Sequence, residues 1–335
     1  MILSPDNRPA VWRNRLFSGR GILILFLISS PFASVVFGYD INGLIHRDLR
    51  EDGRFLDLKN SGRLGDAGAR KLARSRLVRS VATLILESHD LGDEGLIALG
   101  DSRYLGNLEV LNLFNNHIGS AGARVLAHSQ NFAHLRILSL WGNAIETEGA
   151  RELAASTVLG RLESIDLTGN RIGGEGAGGL AKAGFAQGLG VLKLGKNGIG
   201  DEGSTALFQG DFKKIKTLDL FDNGIGPAGI RALAEAPWAA HLERLNLKMN
   251  PIGNEGVKWI ASSPAFRNLR ELDLQWTGMD KEGAAALASS DHLTKLQLLE
   301  LWGNAIGEDG VRLIKESATL KNVTNPIYPG EFRKP

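Results

Sequence analysis

Leu111 to Gly119 reads LNLFNNHIG, and most of the remaining chain repeats it. SLWGNAIE, DLTGNRIG, KLGKNGIG, DLFDNGIG, NLKMNPIG and ELWGNAIG follow in order. Their shared residue is Asn116, Asn143, Asn170, Asn197, Asn223, Asn250 and Asn304, at spacings of 27, 27, 27, 26, 27 and 54. The doubled gap holds Thr277, in LDLQWTGM, 27 residues from each neighbour. His89, in LILESHDLG, lies 27 before Asn116, and LDLKNSGRLG from Leu56 matches with one extra loop residue. Ten phased units therefore run from about Gly53 to about Leu320. A period of this length marks a solenoid, in which each unit buries its apolar side only against its neighbours.

The unit reads LxxLxLxxNxIGxxGAxxLA. Its LxL predicts a short strand, leucines inward and the residue between them outward. The Asn can satisfy turn backbone with its side chain, and stacked copies would form a ladder of such bonds. The Ile or Leu that follows returns to the core, and the next Gly permits a sharp turn. GARKLA, GARVLA, GARELA, GAGGLA, GIRALA and GAAALA predict a helix with Ala and Leu on one face. Asp93-Glu94, Asp201-Glu202 and Glu308-Asp309 open such helices, where unpaired N–H groups and the helix dipole favour carboxylates.

This phasing explains the composition. Gly supplies 42 of 335 residues, nearly twice the usual ~7%, at about three per repeat. With 43% hydrophobic and 23% charged residues, the chain has the apolar content that disordered chains lack. There is no cysteine, which excludes disulfides, thiolate metal sites and cysteine catalysis. A formal net charge of +2 is no footprint for nucleic acid, which takes a clustered basic face.

The repeats closely resemble the ribonuclease-inhibitor-like class of leucine-rich repeats, and their GAxxLA helices resemble the GALA subset. The resemblance covers residues 53–320. It implies an α/β horseshoe of about ten 27-residue strand–helix repeats, with a parallel sheet on the concave face and helices outside. GALA proteins carry an F-box before the repeats. Residues 39–52 are too few for one, which argues against a ubiquitin-ligase adaptor. Ile41, Leu44, Ile45 and Leu49 instead suit one face of an N-terminal capping helix over 39–52, with Asp40 as its N-cap. Residues 321–335 read as a C-terminal tail, with a glycosylation triplet at Asn322-Val323-Thr324.

Residues 1–38 read as a signal peptide or signal anchor. Arg8, Arg13, Arg15 and Arg20 precede the unbroken apolar run Ile22–Ile28, and Gly21 to Tyr39 holds no charge. Gly38, with Val36 two residues before it, is an acceptable cleavage site. If uncleaved, residues 21–38 would be the only membrane contact, and the repeats are expected outside the cytoplasm.

The residue inside each LxL is Asp57, Ile85, Asn112, Ser139, Asp166, Lys193, Asp219, Asn246, Asp273 or Glu300, half of them acidic. Just beyond lie Phe114, Trp141, Phe221 and Trp302, and one residue further Asp222, Met249 and Trp276. One face is thus expected to combine carboxylates with large rings. Exposed rings on one surface are costly unless something covers them, and Trp is frequent among binding hot spots. The expected binding set is Phe114, Trp141, Asp166, Asp219, Phe221, Asp222, Asp273, Trp276, Glu300 and Trp302. An acidic-aromatic face suits a basic or mixed-charge protein partner, with a glycan second, and repels nucleic acid.

GxSxG, GxxxxGK[ST] and HExxH do not occur. The seven His show no metal spacing, and His89 and His117 read as solvated loop residues of adjacent repeats. No catalytic residue, metal or cofactor is expected, and the protein is expected as a monomer. The repeats also resemble those of the Ran GTPase-activating protein, in which an early loop arginine matters. That resemblance points to Arg63, and the alternative function is an intracellular regulator on the same repeats, GTPase-activating or ubiquitin-ligase-adaptor-like. A purely architectural role in the cell envelope is a further alternative.

Overall fold

The computed structural model describes residues 40–324. The targeting segment expected over 1–38, and the tail beyond Thr324, lie outside them. Ten parallel strands stack in chain order: β2 (Phe55–Asp57), β3 (Thr83–Ile85), β4 (Val110–Asn112), β5 (Ile137–Ser139), β6 (Ser164–Asp166), β7 (Val191–Lys193), β8 (Thr217–Asp219), β9 (Arg244–Asn246), β10 (Glu271–Asp273) and β11 (Leu298–Glu300). A helix follows each one: α2 (Gly65–Arg74), α3 (Asp93–Gly100), α4 (Ser120–His128), α5 (Glu146–Ala154), α6 (Gly173–Leu180), α7 (Gly200–Phe208), α8 (Pro227–Glu235), α9 (Gly253–Ser262), α10 (Lys281–Ala288) and α11 (Gly307–Glu316). The architecture is the expected leucine-rich-repeat α/β solenoid.

Ahead of the repeats lie α1 (Ile41–Asp48) and β1 (Leu49–Arg50). The Asp40 side chain accepts from the Gly43 N–H and starts α1, which buries Ile41 and Ile45. Leu49, expected on the helical face, instead leaves the helix. It pairs antiparallel with Leu56, across a hairpin whose Glu51, Asp52 and Gly53 all take positive φ.

Each strand sits one residue earlier than the LxL suggested. Its middle residue is the buried Leu or Ile, and the second Leu is buried just past the strand. Every strand therefore presents two residues outward, one on each side of the buried one. Behind the sheet one continuous core runs the length of the described chain, closed below by Phe132, Phe185, Phe212 and Phe266. Each fully buried leucine contributes about 2 kcal/mol.

The marker residues build the expected ladder. Asn116 is buried; its Oδ1 accepts from the N–H groups of His89 and Leu91, and its Nδ2 donates to the carbonyls of Leu86 and Leu113. Asn143, Asn170, Asn197, Asn223 and Asn250 repeat this between successive turns. Thr277 keeps part of it, its Oγ1 donating to Leu274 O at 2.9 Å.

His89 departs from it. It occupies the marker position of its repeat and is only 1% exposed, so it is no solvated loop residue. Neither ring nitrogen finds a hydrogen-bond partner among the described residues. Burial holds its pKa below the ordinary value, although the nearby backbone of Gly62 and Leu58 pulls the other way.

The helix-opening acids also do something different from the expected capping. Asp66 Oδ1 accepts from the N–H groups of Gly92 and Gly95, in the next repeat, at 2.7 and 3.0 Å. Asp93 does the same for Gly119 and Gly122, Asp201 for Gly226 and Gly229, and Asn254 for Asp280 and Gly283. At those four junctions the residue before the helix is extended. Where the preceding helix offers Ser120, Thr147, Gly174, Pro227 or Lys281 instead, the next junction turns left-handed, at Glu146, Gly173, Gly200, Gly253 or Gly307. The two junction types divide with this acceptor: where it is present the junction N–H looks back to the previous repeat. In the left-handed form the N–H of Glu146, Gly173, Gly200 or Gly253 donates forward to the next marker carbonyl at 2.9 Å.

Candidate binding face

The outward residues of β2–β11 form two aligned columns, set by the parallel register. One is the expected column from Asp57 to Glu300. The other was missed by reading LxL as the strand. It runs Phe55, Thr83, Val110, Ile137, Ser164, Val191, Thr217, Arg244, Glu271 and Leu298. Strict alternation about the first Leu of each LxL would have revealed it.

The acidic column has a structural cause as well as an exposed surface. Asp57, Asn112, Asp166, Asp219, Asn246 and Asp273 each use Oδ1 to accept from the N–H two residues on, at 2.9–3.1 Å. This local turn ends the strand, and Asn makes it as well as Asp. The second oxygen is then free for the face. In Asp166 it meets Lys193 Nζ at 3.5 Å, and in Asp219 it accepts from Asn246 Nδ2 at 3.1 Å. Asp273 and Glu300, side by side in register, have no ion pair among the described residues. Burial pushes the Asp219 and Asp273 carboxyls above their ordinary pKa, against the N–H groups of Phe221 and Gln275 that favour the charged forms. Neighbouring carboxylates push the same way as burial: Asp166 on Asp219, and Glu300 and Asp219 on Asp273.

Asp219, Asp273 and Glu300 line a groove of about 240 Å³ across β8–β11. Asp219, Asn246, Asp273 and Glu300 form one side, and Thr217, Arg244, Glu271 and Leu298 the other. Arg244 is held by Glu271, Nε to Oε1 at 2.9 Å. The surplus charge of the groove is therefore negative.

The predicted rings fall into two pairs and a single. Phe114 and Trp141 meet edge to face at 4.8 Å, as do Trp276 and Trp302 at the C-terminal end. Edge-to-face contact is the geometry their quadrupoles favour. Phe221 stands apart. Its ring lies over Gly195, where a Cβ would collide with it, and Lys196 Nζ sits 5.7 Å from its centroid. Trp276 likewise covers Gly303. The rings thus shield neighbouring backbone, yet Trp141, Trp276 and Trp302 remain 43–49% exposed.

Trp276, Met249 and Asp222 share another property. The residue before each marker turns left-handed, and these three sit there at φ 56°, 59° and 53°. Other repeats place Gly142, Gly169 and Gly303 at this point. A side chain in that conformation costs roughly 1–2 kcal/mol, so Trp276 and Met249 are held at the sheet edge against a backbone preference.

Two other expected features resolve simply. Arg63 is exposed and paired with Asp90 at 2.8 Å, and His117 approaches the same carboxylate at 3.6 Å. His89 is buried, whereas the His117 side chain is exposed. Among the described residues no group of three or more His, Asp or Glu is placed to hold a metal ion. No described helix is long and apolar enough to cross a membrane.

The leucine rich repeat family model matches eight segments, 79–100, 107–127, 133–154, 162–181, 189–208, 213–234, 239–261 and 267–288, together more than half of the chain. No curated protein matches by sequence. Among solved structures the chain is similar to an internalin from Listeria monocytogenes, at 18% identity and a TM-score of 0.37, covering 77% of this chain and 93% of that one. It is also similar to the plant peptide hormone receptor RGFR1 in complex with RGF2, at 16% identity and a TM-score of 0.39, covering 71% and 38%. A TDR receptor matches at 17% identity and a TM-score of 0.43, covering 74% and 39%. The chain thus spans under two fifths of the length of either receptor.

Proposed function

The chain belongs to the leucine rich repeat family, and from that premise we propose that it is a non-catalytic recognition scaffold of the ribonuclease-inhibitor-like type. It captures a basic or mixed-charge protein segment along the sheet face. The observation that carries this reading is the distribution of exposed apolar surface. The exposed large hydrophobics of the described chain are Ile137, Trp141, Met249, Trp276 and Trp302, and all five lie on the sheet face or its loop edge. A surface of this kind marks a contact site rather than free surface.

The neighbouring carboxylates set the partner's chemistry. Asp273 and Glu300 line the groove, and Trp276 and Trp302 follow them in the chain at the edge of the same two strands, so a Lys or Arg of an extended segment would gain both charge pairing and ring contact. The repeats work outside the cytoplasm in this reading, which rests on the uncharged run Gly21–Tyr39. N-terminal sequencing of fractionated native protein checks that placement; an intact Met1 in the cytosol would reverse it.

Trp141→Ala combined with Trp302→Ala tests the binding face. Partner capture is lost, while the melting temperature stays within a few degrees of wild type. Unfolding of the double variant would make the rings structural and end this reading. Asp273→Asn separates charge from turn, since Asn keeps the local hydrogen bond. It weakens binding of Lys- and Arg-containing extended peptides by about tenfold, and leaves Glu-containing isomers unaffected. It also raises stability at neutral pH. The raised folded-state pKa of Asp273 means that its ionisation destabilises the fold as pH rises above the ordinary carboxylate range.

A further inference from the structure

Between α2 and α3 the helix face opens into a groove of about 530 Å³. Arg70, Arg74 and Arg103 line it, and Arg76 reaches it by donating from Nε to the Tyr104 hydroxyl at 3.4 Å. Glu94 and Asp101 share the lining, and Glu94 is already held by Arg70 at 4.0 Å. Arg74, Arg76 and Arg103 have no ion pair among the described residues. The floor is apolar, made of the buried Ala73 with Ile97 and Ala98.

The rest of the helix face does not look like this. From α4 onward every helix arginine meets a carboxylate: Arg124 with Glu152, Arg151 with Glu148 and Glu175, Arg231 with Glu235, and Arg312 with Asp309. Among the described residues, the unpaired Arg74, Arg76 and Arg103 come together where α2 and α3 part over small residues. Guanidinium forks match the oxygens of a phosphate, and the apolar floor beneath them matches a hydrocarbon body. Glu94 and Asp101 offset part of this charge, so the positive surplus is confined to Arg74, Arg76 and Arg103 and is unlike the extended basic stripe that nucleic acid takes. The groove also belongs to the first two repeats. Ser75, at the end of α2, donates to Asn42 of α1 at 2.9 Å. In sequence, α1 directly follows the uncharged run Gly21–Tyr39.

We propose that the α2–α3 groove binds a phosphate-bearing amphiphile, the headgroup and upper chain of an anionic phospholipid. The full chain is titrated by calorimetry with monomeric dihexanoyl phosphatidate, dihexanoyl phosphatidylcholine and inorganic phosphate. Phosphatidate binds saturably at one site, and Arg74→Ala with Arg103→Ala weakens it at least tenfold. Because both arginines are exposed and unpaired, the melting temperature does not move. Ala98→Glu, which puts a charge on the floor, weakens it similarly. Inorganic phosphate binding as tightly as phosphatidate would overturn the amphiphile in favour of a free anion. Equal binding of phosphatidylcholine, or phosphatidate affinity unchanged in both variants, would overturn the site. The apolar run of residues 21–39 is present in every sample, so it cannot account for a difference between variants.

Discussion

The sheet face and the helix face come from the same ten repeats, yet they finish differently. From α4 to α11 the helix face closes on itself: each arginine within a helix ends on a carboxylate, and no large apolar side chain of the described helices stands exposed. The sheet face leaves Trp141, Trp276 and Trp302 open and crowds Asp219, Asp273 and Glu300 into one groove. The difference shows where a solenoid is free to vary. Stacking dictates the inward leucines and the marker residue of every repeat, because each must fit the copy on either side. The outward positions carry no such demand. One face uses them for self-neutralisation, and the other for surface that a partner can cover.

The largest effect should come from the ladder that both faces depend on. Asn170→Ala leaves the carbonyls of Leu140 and Leu167 and the N–H of Ile145 without their side-chain partner. It should destabilise the protein by about 3 kcal/mol, read by urea denaturation. A loss near zero would mean that the two faces do not share one cooperative core.

Trp276→Gly sharpens the contrast between faces. Glycine relieves the left-handed backbone while the ring's contacts with Trp302 and Gly303 are lost. These terms offset, so stability should change by less than about 1 kcal/mol. Partner affinity should nevertheless fall at least tenfold, measured by calorimetry. A strongly destabilised variant with normal affinity would reverse the assignment of the sheet edge.

His89→Asn restores the interrupted ladder and should stabilise by about 1–2 kcal/mol. It should also remove an acid sensitivity. His89 has a lowered folded-state pKa, so below its ordinary value of 6.5 the unfolded chain takes up the proton first. Wild-type stability therefore falls as pH drops below about 6.5, until the folded-state pKa is passed. The variant should lack this component in melting curves recorded between pH 7.5 and 5. The smallest effect belongs to the helix face: Arg124→Ala breaks an exposed pair with Glu152 and should shift stability by no more than about 0.5 kcal/mol.

The candidate face was legible only in part. Rings at Phe114, Trp141, Phe221, Trp276 and Trp302 could be placed along one edge from spacing alone. Their division into two edge-to-face pairs and a single ring over Gly195 could not, because ring orientation depends on the adjacent repeat. The column holding Ile137, Arg244 and Leu298 was hidden by a one-residue shift of the strand within LxL. Asp166, Asp219 and Asp273 read in the sequence only as outward charges for a partner, yet one oxygen of each closes a turn.

The period, the strand–helix alternation, the buried leucines and the marker ladder can all be read from the linear chain. These are properties every copy must share, and repetition writes them plainly. Stacking, by contrast, sets which way each junction N–H points, buries the His89 ring with no hydrogen-bond partner among the described residues, and brings unpaired arginines together. Each of these depends on what lies about 27 residues away in the neighbouring turn. A linear pattern specifies that a contact is made, but the contact's geometry exists only once the turns are stacked.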